Sequence, residues 1–270
     1  MQQAVLPSFL RHYHAEGLIR LGGEGDGGYI VSEKDVQASD FLLSLGVNDN
    51  WGFEKDFLKR RPVSLHAYDG SINLRIFFER FAATALRLSG PKTIFNSAKM
   101  IWDYKKFFSN ERIHFQKFVG YVSGKRYITM DEIFFACPSG KIFLKIDIEG
   151  FEYRVLNQLL ENRERLSGLV IEFHDVDLHW ARIAEFVERF ALRIISINVN
   201  NFVPLMPDRS PTVLEITFSA NAAFTSDHQS YPHPLSRPNR GGSVCLNSSG
   251  AFAKWFSALV RPPSGLMAAR

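Results

Sequence analysis

The stretch Lys141 to Leu160, KIFLKIDIEGFEYRVLNQLL, sets a strand, an acidic exit and a helix in immediate succession. Residues Ile142 to Ile148 form a short, mostly apolar and β-branched run between Gly140 and Gly150, the pattern of a central strand covered on both faces. From Phe151 the apolar residues fall at Phe151, Val155, Leu156, Leu159 and Leu160, a helical stripe that lays back on the sheet. Side chains alternate across a strand, so Lys145 and Asp147 share a face and Glu149 keeps their parity just past the strand's end. Two carboxylates thus stand at the carboxyl edge, where open α/β sheets bind ligands.

The rest of the chain is read around this unit. Leu6 to Leu21 is expected to be a helix ending near Gly22. LGGEGDGG then makes a glycine-rich turn before a small strand, Tyr29 to Ser32. That turn lacks the Lys-Ser/Thr ending of a P-loop, and glycines at positive φ explain it without a ligand. Phe41 to Leu45 reads as the first core strand, and Gly46-Val47-Asn48-Asp49-Asn50 as the loop into a helix around Phe53 to Lys59. Asn48 stands where a dinucleotide fold places a second glycine, and Trp51 crowds the exit, so a pyrophosphate is disfavoured. Val63 to Tyr68 is the second strand. Asp69 follows Gly46 by 23 residues, close to the spacing at which a carboxylate accepts from a ribose. The competing reading of Asp69 is a surface residue opening a turn at Gly70.

Between Ser71 and Lys117 the strand and helix alternation gives way to helical, aromatic and basic sequence, with nine Lys or Arg against three acids. Gly90-Pro91 marks the break between its helices. The segment reads either as a basic amphipathic cover, for an anionic acceptor or a membrane surface, or as a packing element with a solvated charged face. Beyond it, Ile113 to Val119 is expected as the third strand. Thr129 can cap the TMDEIFFA helix, and Leu169 to Phe173 is a buried strand ending at His174-Asp175. Arg193 to Val199 and Thr212 to Phe218 suit an antiparallel pair at the sheet's edge.

Composition narrows the class further. The hydrophobic content of 46% over 270 residues is ample for one core. Cys137 and Cys245 are the only cysteines, without metal-ligand spacing, so a disulfide framework or zinc cluster is not expected and a reducing cytosol fits. The first residues carry no apolar run of signal-peptide length, and no segment nears the ~20 apolar residues that span a bilayer. A cytoplasmic location is the expectation. A net charge of +4 is too small to argue for nucleic acid, and no nucleic-acid partner is expected.

The segments DGGYIV, SLGVNDNWGFE, HAYDGS and KIDIEGFE resemble the FkbM-type methyltransferases, a likeness running from about Leu18 to about Leu246. It implies S-adenosylmethionine as cofactor and a saccharide or other small hydroxyl-bearing acceptor. It also implies a Rossmann-like class I methyltransferase fold, mostly parallel, with an antiparallel edge strand. On this reading 1–270 is a single domain, 71–117 its helical insertion and 225–270 an irregular tail. The tail motif HPLSRPN departs from the family pattern at Ser236, where an acid is usual. The resemblance, joined to the loop and strand-end readings above, gives a cofactor-binding set of Asp26, Gly28, Tyr29, Gly46, Asn48, Asn50, Glu54, Asp69, Gly70 and Asp147.

Methyl transfer from an activated sulfonium leaves the protein to align the acceptor and remove its proton. Asp147, Glu149 and His174 are the candidate catalytic residues at the carboxyl edge. Structural roles compete: a hydrogen-bonded histidine at a strand end, and helix capping for the two acids. Asp147, Glu149 and Asp175 also offer oxygen ligands for Mg²⁺. Two other classes stay open, an NAD-dependent oxidoreductase and a non-catalytic nucleoside-binding module. The first wants a glycine at Asn48 and a hydride-transfer site that the sequence does not show.

Overall fold

Seven strands build the central sheet: β1 Phe41–Leu45, β2 Ser64–Tyr68, β3 Arg112–Phe115, β4 Ile142–Ile146, β5 Leu166–Phe173, β6 Arg193–Val199 and β7 Leu214–Ser219. Their spatial order in the computed structural model is β3-β2-β1-β4-β5-β7-β6. The structure describes residues 2–10, 13–87, 90–228, 233–239 and 244–246. Strands β1 to β5 pair in parallel, and β7 runs antiparallel to both β5 and β6. The sheet is mostly parallel and Rossmann-like, as expected. The reversed strand lies one place in from the edge, because the chain passes β7's position to lay down β6 first and then returns between it and β5.

The chain leaves β1 outward through β2 and β3, then crosses back to β4 on the other flank of β1. Strand order therefore reverses between β1 and β4, and a crevice opens at their carboxyl ends. All five residues of β4 are buried, as its sequence requires. The alternation is kept: Ile142, Leu144 and Ile146 pack with Ile133, Leu159 and Phe186, whereas Phe143 packs with Val36 and Phe57 on the opposite face. The first group comes from α5 (Met130–Ala136), α6 (Leu156–Glu161) and α7 (Val176–Arg189). The second comes from α1 (Glu33–Gln37) and α2 (Gly52–Arg60), joined by the hairpin of α3 (Leu74–Leu86) and α4 (Pro91–Phe107).

Three local expectations are corrected. Among the described residues no α-helix spans Leu6 to Leu21; the segment makes a 3-10 turn at Ser8–Leu10 and strands at Tyr13–Ala15 and Leu18–Leu21. Leu18–Leu21 pairs antiparallel with Tyr29–Ser32, and Gly17 at φ +68° breaks any helix leading into it. Cross-strand pairing outweighs the helical spacing of the apolar residues. The third strand stops at Phe115, since Lys117 N–H turns back to the Phe115 carbonyl and Phe118–Val119 pairs instead with Tyr127–Ile128. Beyond Gly150 a 3-10 turn, Glu152–Arg154, precedes α6 because the Glu152 carboxylate accepts from Ile148 N–H and Gly150 N–H. Thr129 caps α5 in a full capping box with Glu132, as expected. Most of 225–270 lies outside the described residues. Among the described residues no helix is long and apolar enough to cross a membrane.

Asp35 of α1 is fully buried, its Oδ1 accepting from Asn221 N–H and Asn221 Nδ2 at 3.0 Å each, its Oδ2 without a partner. Burial pushes its carboxyl up to about 6, against hydrogen bonds from Ser219 and Asn221 that lower it. Because the folded value exceeds the unfolded one, folding favours the protonated form, and stability is lost as pH rises from about 4 through 6. Asp35→Asn should match the wild type in urea unfolding near pH 4 and exceed it by about 2–3 kcal/mol at about pH 8. A wild-type-to-variant difference that does not change between those pH values would show that the charge is not under strain there.

Candidate active site

The crevice at the β1/β4 switch point is a cavity of about 380 Å³, within the size range of small-molecule sites. Its floor depends on a buried polar group beneath the Gly46 loop. Ser44 and Lys145 face the same side of the sheet, towards Glu54 on α2. Ser44 Oγ donates to Glu54 Oε1 at 2.6 Å, and Lys145 Nζ lies 3.8 Å from that oxygen. Lys145 Nζ also donates to the Gly46 carbonyl at 2.7 Å, so a charged group inside the sheet holds the loop at its first residue. Gly46 sits at φ +79°, and a Cβ there would lie 1.6 Å from the Asp147 carbonyl oxygen. Only glycine lets β1 and β4 end this close together.

Asp69 closes the other side. Its Oδ2 accepts from Val47 N–H at 3.0 Å and Asn48 N–H at 2.8 Å, and its Oδ1 accepts from Ser71 N–H at 2.7 Å and Ser71 Oγ at 2.5 Å. Burial works to raise this carboxyl, but these four donors hold it below the ordinary aspartate value. Asp69 therefore clamps the Gly46 loop to the turn after β2, and its acceptor sites are filled. Asn48, at φ 43°, adopts the left-handed conformation that asparagine tolerates. Asn50 Nδ2 donates to the Asp26 carbonyl at 3.1 Å while its Oδ1 accepts from Gly52 N–H, tying the Asp26 loop to the start of α2.

Of the residues singled out from sequence, Asp26, Gly46, Asn48, Asn50, Asp69, Gly70, Asp147 and Glu149 line the cavity together. Five others, Gly28, Tyr29, Glu54, His174 and Asp175, do not line it. Gly28 packs against the Gly23 carbonyl, Glu54 lies under the loop, Tyr29 lies behind Asp147, and His174 lies beside Glu149. Lys117, Phe118 and Tyr127 line the cavity without having been singled out. A signal for Phe118 was present in Gly70, whose absent Cβ makes room for the Phe118 ring 2.4 Å from where it would stand. Asn239 of HPLSRPN was also missed: its Nδ2 donates to Glu215 Oε1 at 2.7 Å and reaches Asp26 Oδ1 at 3.2 Å, independently of the departure at Ser236.

Behind the cavity lies a buried acidic network. Tyr29 Oη is 3.2 Å from Glu172 Oε2 and 3.5 Å from Asp147 Oδ2, and Asn200 Nδ2 donates to Glu172 Oε1 at 2.8 Å. Burial, with the charges of Glu215 and Asp147, pushes Glu172 up to about 9, so it is neutral at pH 7. Burial likewise raises Asp147, opposed by Lys145 and His174. For His174 burial favours the neutral ring, but the hydrogen bond to Glu152 Oε1 at 3.2 Å and the surrounding carboxylates win and raise it to about 9. One ligand atom each from Asp147, Glu149 and His174 lie within 4.8 Å of one another. Among the described residues the cluster thus holds His174 where Asp175 was expected as the third oxygen ligand, and Mg²⁺ prefers oxygen to imidazole nitrogen, so the expected all-oxygen set is not assembled.

No family model matches the chain. No curated protein matches it either. Solved structures of similar fold include a precorrin-6y C5,15-methyltransferase from Geobacter metallireducens GS-15, at 13% identity, TM-score 0.39, covering 70% of this chain and 84% of that one. Another is a putative tRNA (m1A22) methyltransferase from Streptococcus pneumoniae in complex with S-adenosyl-L-methionine, at 12% identity, TM-score 0.38 and 71% of each chain. A third is an rRNA methylase from Streptococcus thermophilus, at 10% identity, TM-score 0.35, covering 70% and 92%. Two of these three are described as acting on RNA, contrary to the expectation of no nucleic-acid partner.

Lys145→Met should destabilise the chain by about 3–5 kcal/mol, because it leaves Glu54 buried and unpaired. The double change Lys145→Met/Glu54→Leu should recover most of that in urea unfolding yet remove the tie at the Gly46 carbonyl and leave the loop to the Asp69 clamp, seen as faster amide exchange at Val47 and Asn48. Unchanged exchange in the stable double variant would show that Lys145 does not hold the loop.

Proposed function

We propose that this chain is a methyltransferase that uses S-adenosylmethionine to methylate an oxygen of a saccharide or other small hydroxyl-bearing acceptor. The observation that carries the reading is the charge of the cavity: Asp26, Asp49, Asp69, Asp147 and Glu149 line it, against Lys117 and Lys145. Lys145 is already engaged by Gly46 and Glu54. A pyrophosphate would add negative charge to that surface, whereas S-adenosylmethionine carries a sulfonium and an ammonium against one carboxylate. Like charges at close range disfavour the first and favour the second. The left-handed Asn48 in place of a glycine adds to the case against a dinucleotide. The oxygen acceptor and its saccharide class follow the resemblance to FkbM-type enzymes.

Bound here, S-adenosylmethionine supplies a methyl group on a positively charged sulfur. Gly46, Asn48 and Asn50 would border its amino-acid end and Asp69 its ribose, where a new contact must displace the Ser71 hydroxyl from Asp69 Oδ1. Asp147 is the group we assign to take the acceptor's proton. Its Oδ2 faces Tyr29, leaving Oδ1 for the acceptor hydroxyl, and burial raises its affinity for a proton. Neutral Glu172 and cationic His174 keep a second negative charge out of that corner and let Asp147 ionise. Glu149, exposed at the rim, stands where an acceptor enters.

Isothermal titration should show S-adenosylhomocysteine binding and NAD not binding. Asp147→Asn should keep that affinity but lose about 10²- to 10⁴-fold in transfer of a labelled methyl group to a panel of sugars, nucleotide sugars and RNA. The wild-type rate should rise with pH as Asp147 ionises, then fall near about 9 as His174 loses its proton and Glu172 gains charge. Binding of NAD alone would overturn the cofactor, and full activity in Asp147→Asn would overturn the base.

A further inference from the structure

We infer that the hairpin of α3 and α4 docks the protein on an anionic phospholipid surface. From Phe78 to Met100 no described residue is buried, so the outer part of the hairpin projects from the domain. Its base is anchored: Phe77, Tyr104, Phe107 and Phe108 close around Trp51, Trp51 Nε1 donates to Asp103 Oδ2 at 3.0 Å, and Phe81 and Met100 pack against the same cluster. The projecting part is nevertheless apolar at several points. Leu86 is 84% exposed and Phe95 67%, and Trp102, just below them on the outer side of the base, is 59% exposed, more than a solvated face of this size requires.

Their placement is ordered. On α4 the residues Lys92, Phe95, Lys99, Trp102 and Lys106 recur at helical three- and four-residue steps, so cations and aromatics alternate along one outward stripe about 21 Å long. The opposite stripe, Ile101, Tyr104 and Phe107, is the buried one. Arg87 and Lys92 flank the apolar tip at Leu86 and Phe95. Between 78 and 100 four Lys or Arg face a single acid, Glu79, which is paired with Arg75 at 2.7 Å. Lysine collars around exposed aromatic and aliphatic side chains fit the interfacial zone of a membrane, where rings and leucine enter the acyl boundary and cations meet lipid phosphates.

The other occupants fit less well. A second copy of the same hairpin would set like charges against each other. A nucleic-acid strand would use the cations but gains nothing from Leu86, and one face of Trp102 is covered by the Lys106 ammonium 4.6 Å from the ring centre, closing it to base stacking. Arg80 Nη1 lies 3.5 Å from Asp49 Oδ2 on the Gly46 loop, so the hairpin is tied to the cavity wall and would hold that cavity close to the bilayer.

The test uses the full chain and reads binding alone, so it does not depend on the transfer reaction. Sedimentation with phosphatidylcholine vesicles and with vesicles containing phosphatidylglycerol should show binding only to the second, weakened by salt. Lys92→Ala and Lys99→Ala should each weaken it by about fivefold, and Leu86→Ser/Phe95→Ser should abolish it, all with unchanged thermal unfolding. Absence of phosphatidylglycerol-dependent binding, or variants that bind as the wild type does, would overturn the inference. So would binding of single-stranded polyuridine that the same variants abolish while vesicles are ignored.

Discussion

The contact on which the rest of the site depends is the bond from Lys145 Nζ to the Gly46 carbonyl, made from inside the sheet. A lysine in the middle of a fully buried strand is costly unless its charge is met, and Glu54 and the Gly46 carbonyl meet it. Each participant comes from a different element: β4 brings Lys145, α2 brings Glu54, and β1 brings Ser44 and the loop itself. The polar group therefore fixes the relative placement of the three elements that border the switch point. Replacing it by apolar residues costs little stability when both partners are changed, but it leaves the Gly46 loop to the Asp69 clamp alone on that side.

A second constraint is the number of carboxylates gathered at one edge. Asp147, Glu172 and Glu215 are held near each other in surroundings that disfavour charge, and the chain meets this by sharing rather than by pairing each with a cation. Tyr29 bridges Asp147 and Glu172, Asn200 donates to Glu172, and Asn198 and Asn239 donate to Glu215. Burial, against the Asn239 and Asn198 hydrogen bonds, raises Glu215 to about 7. Protons rather than lysines thus balance much of the acidity, and the outer rim keeps its negative potential for a cationic ligand.

The sheet was legible because its strands are buried on both faces and punctuated by glycine, so FLLSL and KIFLKI read as core in any context. Gly46, Asp69 and Asp147 converge because strand ends in an α/β sheet lie on one edge. Three things were not legible. Leu18–Leu21 has apolar spacing compatible with a helix, and only its pairing with Tyr29–Ser32 decides for a strand. The four donors filling Asp69 are backbone groups and a hydroxyl brought in by folding, which no residue pattern announces. Asn239 reaches Asp26 across a sequence separation of 213, and long-range closures of that kind leave no local trace.

In the proposed function the acidic crevice between Gly46, Asp69 and Asp147 receives the methyl donor. A crystal structure of the protein with S-adenosylhomocysteine tests this most directly. Ligand density is expected in that crevice, with the Ser71 hydroxyl turned away from Asp69 and the Lys145 to Gly46 bond intact. Density on another surface, or a ligand-saturated protein whose crevice is filled by its own loops, would contradict it.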